Sequence, residues 1–175
     1  MRGINIFQEA SGVTEHNNSH RKPRIGFADK LSEKYILLDM KSQTKDQAIR
    51  DLAESLRGNP SLLDFDRFLK DVYKREKDAS TGIGKGIAIP HARTNTVKDF
   101  IVAIGRKSPG IDFASVDGKS VEILILMGAP LTGVNAYLKL LARLSHILKR
   151  PGFIDGIKKA ADQKAVIEIF RTYEK

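Results

Sequence analysis

An α/β fold, with a single mixed β-sheet flanked by helices on both sides, is the class this sequence predicts, and two observations carry it. Short apolar runs of strand length are interspersed with longer stretches whose apolar residues recur at helical spacing, a mixture that packs as helices over a sheet. The chain of 175 residues is also 41% hydrophobic and has no cysteine, enough for one core of ordinary domain size without disulfides. No internal repeat and no second domain is visible.

In chain order, residues 1–30 are polar, with Asn17, Asn18, Ser19, Arg21, Lys22 and Pro23 clustered, and are expected to form a flexible leader ahead of a domain over residues 31–175. His16 and His20 stand four apart, but the Asn and Ser around them oppose the helix that a shared metal would need, which leaves two solvated histidines. From Tyr35 the run YILLDM reads as a buried strand, and SQTKDQAIRDLAESLRG as an amphipathic helix. Ala48, Ile49, Leu52, Ala53 and Leu56 form its apolar stripe, and Gly58 stops it. A second helix is predicted from Asp64 to Lys77, with Phe65, Phe68, Leu69 and Val72 on one face. Strand-length runs follow at 86–90, 100–105 and 121–127, then a long helix over 134–149. The stretches PGFIDGIKKA and DQKAVIEIFRTYEK complete the pattern with two more helices, the first opened by Pro151.

Composition narrows the function. No apolar run reaches the roughly 18–20 residues of a membrane span, the longest candidate being Val121 to Leu131. The start of the sequence lacks the apolar segment and cleavage site of a secretory signal, so a cytoplasmic chain without membrane insertion is expected. Absence of cysteine excludes thiolate catalysis and cysteine-ligated zinc. The formal charge of +9 raises nucleic acid as a partner. Against it, the Lys and Arg are spread along the chain and alternate with Asp and Glu, so no nucleic-acid binding is expected.

The chemistry points to the stretch STGIGKGIAIPHAR from Ser80 to Arg93, which holds the one histidine set among apolar residues. A phosphate-cradling loop would need Ser or Thr after Lys85, where Gly86 stands, and the other near-match, Gly118-Lys119-Ser120, lacks its leading glycine at Phe113. Gly82, Gly84 and Gly86 instead permit a sharp turn into the strand GIAIP. Pro90 is expected to end that strand and present His91 at its carboxyl end, where sites form in α/β sheets. From these residues alone, His91 is either a reactive imidazole or a satisfied structural one.

The longer stretch REKDASTGIGKGIAIPHAR from Arg75, together with GIDFASVDGKSVEILILMGAP and the helix after it, resembles the enzyme IIA domains of the phosphotransferase system, of the fructose, mannitol and nitrogen-regulatory type. The resemblance covers roughly residues 31–175 and implies a mixed sheet flanked by helices. It implies that His91 accepts a phosphoryl group from an HPr-type phosphocarrier protein, then relays it to a downstream enzyme IIB or uses it on a regulatory target, without metal or cofactor. A neutral imidazole suits that task because it offers a lone pair and forms a readily transferred phosphoramidate. Arg75 matches the family's arginine near the phosphorylated histidine, and its planar fork can hold two phosphoryl oxygens. Ser80 and Thr81 are candidate hydroxyl donors to the phosphate, or else only turn and cap residues. The docking face around His91 is expected to be apolar or acidic despite the net charge.

One position departs from the family. Where it carries a second histidine early in the long helix, this chain has Tyr137. His146 cannot replace it, lying about half a turn away and roughly 13 Å further along, on a basic solvated face. A phenol donates one hydrogen bond but does not become a cation near neutral pH. The alternative function is therefore a regulatory binding module with impaired or absent transfer. Of the two roles the resemblance allows, regulation of the nitrogen-regulatory kind is favoured over sugar uptake.

Overall fold

A computed structural model describes residues 26–175. The polar run 1–25, with His16 and His20, lies outside the described residues. Of the leader assigned to residues 1–30, the described end is packed: Phe27 is fully buried, and its ring stacks on Phe170 at 5.2 Å. The backbone N–H groups of Phe27 and Ala28 donate to the Glu174 carboxylate, which fastens this segment to the end of the chain.

Among the described residues six strands form one sheet: β1 (Ile36–Leu37), β2 (Gly82–Gly84), β3 (Ile87–Ala88), β4 (His91–Thr94), β5 (Ile101–Ile111) and β6 (Val121–Pro130). The order is β1-β5-β6-β3-β2, with β4 also paired to β6. The sheet is mixed, because β5 runs antiparallel to β6 while β1, β3 and β4 pair in parallel with their neighbours. Among the described residues five α-helices cover it: α1 (Lys45–Ser55), α2 (Phe65–Asp78), α3 (Val134–Leu148), α4 (Phe153–Lys159) and α5 (Gln163–Tyr173). Thr44 and Asp64 cap α1 and α2, accepting from the N–H groups of Gln47 and Arg67. These caps set the helix starts, three residues and one residue inside the stretches expected from periodicity.

The central strands are buried on both faces and so read as continuous apolar runs. Ile123, Ile125 and Met127 of β6 face one core, made with α3, α4 and α5. Leu124 and Leu126 face the other, made with α1 and α2. Helices on both sides of one mixed sheet are the expected architecture.

Strand β3 already ends at Ala88, but Pro90 does not break the alignment along β6. Ile87 aligns with Ile123, Ala88 with Leu124 and His91 with Met127, so β3 and β4 keep one register along β6 across the Ile89–Pro90 interruption. The Pro90 carbonyl still accepts from the Met127 N–H at 2.9 Å. Only the donor that proline lacks drops out of the ladder. The turn before β3 uses positive φ at Gly84, Lys85 and Gly86 but not at Gly82. Gly82 is needed for close approach instead: a Cβ there would lie 2.5 Å from Ser115 Oγ and 2.9 Å from Ser115 Cα.

Candidate functional site

Among the described strands, β4 pairs only with β6, so its other edge is open. There α2 and α3 reach past the sheet from opposite faces and bound a cleft of about 460 Å³. His91, Arg75 and Tyr137 all line it. His91 Nδ1 lies 2.7 Å from the Ile89 carbonyl oxygen. A carbonyl can only accept, so Nδ1 carries the ring proton and the lone pair is left on Nε2. Burial pulls the imidazole below its ordinary pKa. The Ile89 bond opposes that, the Arg75 charge adds to it, and the Glu76 carboxylate pulls back upward.

Arg75, near the end of α2, donates from Nη1 to the Ala79 carbonyl at 3.0 Å. Tyr137 is buried in the first turns of α3. Burial pushes its phenol upward in pKa, against the charges of Arg75 and Arg93, so it stays a neutral hydrogen-bond donor. The Arg93 guanidinium sits 5.5 Å from the Tyr137 ring centroid and donates to the Leu131 carbonyl at 2.7 Å. It stands two residues after His91, a spacing that puts both on one face of a strand. That spacing is visible in PHAR, and sequence reasoning passed over it.

Residues 29–173 match the family described as "Phosphoenolpyruvate-dependent sugar phosphotransferase system, EIIA 2". The chain belongs to that EIIA family. It is 32% identical over 145 residues to the fructose-specific EIIABC component of Bacillus subtilis, which covers 83% of this chain and 23% of that longer protein. It is 32% identical over 134 residues to the fructose-specific EIIA component of Haloferax volcanii, covering 77% of this chain and 87% of that one. Among solved structures, nitrogen regulatory protein IIA-Ntr of Neisseria meningitidis superposes with a TM-score of 0.76 at 26% identity, over 82% of this chain and 97% of the other. EIIA relatives of both sugar-specific and nitrogen-regulatory kinds thus share this fold.

The EIIA cleft does not include Ser80 or Thr81. Ser80 Oγ donates to the Phe113 carbonyl at 2.6 Å. Thr81 is buried, its hydroxyl donating to Glu76 Oε2 at 2.6 Å and its N–H to Glu76 Oε1 at 3.0 Å. The same carboxylate pairs with Lys45 at 2.5 Å, joining the start of α1 to the end of α2. Both hydroxyls thus serve the turn into β2. His146 is exposed on α3 and lines a different cleft with Arg143 and Glu174.

The surroundings of His91 in this EIIA chain are not acidic, and only part of them, at Leu131, is apolar. Arg67, Lys74, Arg75 and Arg93 line the cleft together with Asp71 and Asp78. The α2 members fall at helical spacing, so one helix face supplies them. Asp71 accepts from the Thr94 hydroxyl at 2.6 Å, which ties α2 to β4. Among the described residues no group of three or more His, Asp or Glu is gathered as metal ligands would be, and no helix is long and apolar enough to cross a membrane.

Proposed function

We propose that this EIIA chain is a phosphocarrier whose His91 accepts a phosphoryl group from an HPr-type carrier protein. The observation that carries this reading is the Nδ1 bond to the Ile89 carbonyl, which holds the proton on one nitrogen and leaves Nε2 as the nucleophile. Nε2 attacks the phosphorus of the donor's phosphohistidine. A new N–P bond forms as the donor's N–P bond breaks, and the donor imidazole regains its lone pair. Positive charge that develops on the His91 ring is stabilised through Nδ1–H by the Ile89 carbonyl oxygen. Arg75 meets the transferring oxygens with its planar fork, and the neutral Tyr137 phenol donates one hydrogen bond.

The partners in this reading are the HPr-type donor and either a downstream enzyme IIB or a regulatory target protein. Regulation is favoured over sugar flux, because Tyr137 cannot supply the cationic charge of the family's second histidine. Incubation with a phosphorylated HPr-type carrier and intact-mass measurement tests the proposal. One phosphoryl group is expected on the wild type and none on His91→Ala. Phosphate that persists on that variant, or resides on His146, overturns it.

The second reading, a binding module without phosphotransfer, is favoured by the same Tyr137. Tight target binding by a chain that takes up no phosphate from any carrier supports it instead.

A further inference from the structure

We infer that the protein docking over His91 surrounds its own reactive group with acidic and apolar side chains, not basic ones. This rests on the phosphocarrier reading and specifies the partner of that same site. The face around the cleft has two parts. Arg67 and Lys74, both exposed on α2, form its rim with Arg75 and Arg93, four cations against the carboxylates of Asp71 and Asp78, a local balance of 4 − 2 = +2. Among the described residues the ion pairs join Lys30 to Asp99, Lys45 to Glu76, Arg57 to Glu54, Lys158 to Glu122 and Arg171 to Glu168, so none of them neutralises a cleft cation.

The other part is apolar. Leu131, Val134 and Leu138 are 53%, 47% and 54% exposed. Val134 and Leu138 share one face of α3, being four apart, and Leu131 lines the cleft itself. No acidic residue stands in the first turn of α3 to offset the cations across from it. A carrier with a basic rim would bring like charges together at this face, whereas an acidic rim meets the four cations while an apolar knob covers the leucines.

Binding separates this from the chemistry. One HPr-type carrier is prepared unphosphorylated in two forms, one with Lys and Arg placed around its reactive group and one with Asp and Glu at the same positions. Each is titrated calorimetrically into the wild type and into the Arg67→Glu, Lys74→Glu double variant. The acidic-rimmed form is expected to bind the wild type about tenfold more tightly, and the double variant to invert that order. Added salt should narrow the gap. Equal or tighter binding of the basic-rimmed form to the wild type, an order unchanged by the double variant, or binding of neither form overturns the inference. Transfer to His91 from the two phosphorylated forms is read separately: its absence while the acidic form binds tightly refutes the phosphocarrier reading and leaves the docking inference standing.

Discussion

Replacing Glu76 should cost more stability than any other single polar change near the cleft. Its side chain is 5% exposed and accepts from Thr81 twice while pairing with Lys45, whose side chain is 25% exposed. Glu76→Ala leaves a partly buried ammonium without its partner and two Thr81 donors without acceptors. Removing one member of a buried pair costs about 3–5 kcal/mol, and the lower end applies because Lys45 can swing toward water. Glu76→Gln keeps an acceptor oxygen for Thr81 and should lose less than the alanine variant. Thr81→Val should cost about 1 kcal/mol in the wild type but little once Glu76 is gone, since the bond it removes is already absent. Urea unfolding with a shared m-value reads the wild type and all four variants. A Glu76→Ala loss below about 1 kcal/mol, or a Thr81→Val cost that adds in full to it, refutes this account of the turn.

Three further outcomes concern the cleft. Arg75→Lys should slow phosphotransfer while leaving carrier affinity nearly unchanged, because a point charge replaces the two-pronged contact; equal losses in both would count against that role. Tyr137→His should raise the transfer rate by restoring an imidazole, and an unchanged or lower rate sinks the idea that the tyrosine limits it. The His91 imidazole has a folded pKa below its ordinary 6.5, so the unfolded chain takes up its proton first as pH falls. Its contribution to stability is therefore constant above about 6.5 and is lost as pH drops from there toward the folded pKa. His91→Gln should flatten that part of the stability profile, and an identical slope in the variant would exclude His91 as its source.

Most helices were legible because their signals are local. The apolar periods of α1, α2 and α3 need no knowledge of the rest of the chain, whereas the cap at Thr44 that sets the start of α1 was not singled out. Strands β2 and β4 were not, for two reasons. Gly82-Ile83-Gly84 is too short and glycine-rich to show alternation, and Pro90 looks like a stop although the pairing with β6 absorbs the lost donor. Phe27 was hidden in a polar neighbourhood, its burial decided by Phe170 and Glu174 at the other end of the sequence. His91, Arg75 and Tyr137 were named through a family resemblance, and all three line one cleft. For Ser80 and Thr81 two roles stayed open in the sequence, because adjacency says nothing about which way a hydroxyl points; their bonds to the Phe113 carbonyl and the Glu76 carboxylate are those of turn residues. The cations of α2 were visible at helical spacing, yet only the open edge of β4 tells that their face borders His91.

The cleft draws its walls from both layers of the fold, Arg75 from the helix pair on one side of the sheet and Tyr137 from the helix trio on the other, with His91 between them on the strand. No single loop sets the width of that cleft. That width depends on how tightly each layer of helices seats on the same strands. Trimming a side chain such as Leu69 on one side or Leu144 on the other would let a helix settle inward and shift one wall of the cleft without touching a residue in it. The setting of His91 is in that sense a gauge of packing in two separate cores, and drift in either core would move a wall of the cleft before it unfolded the chain.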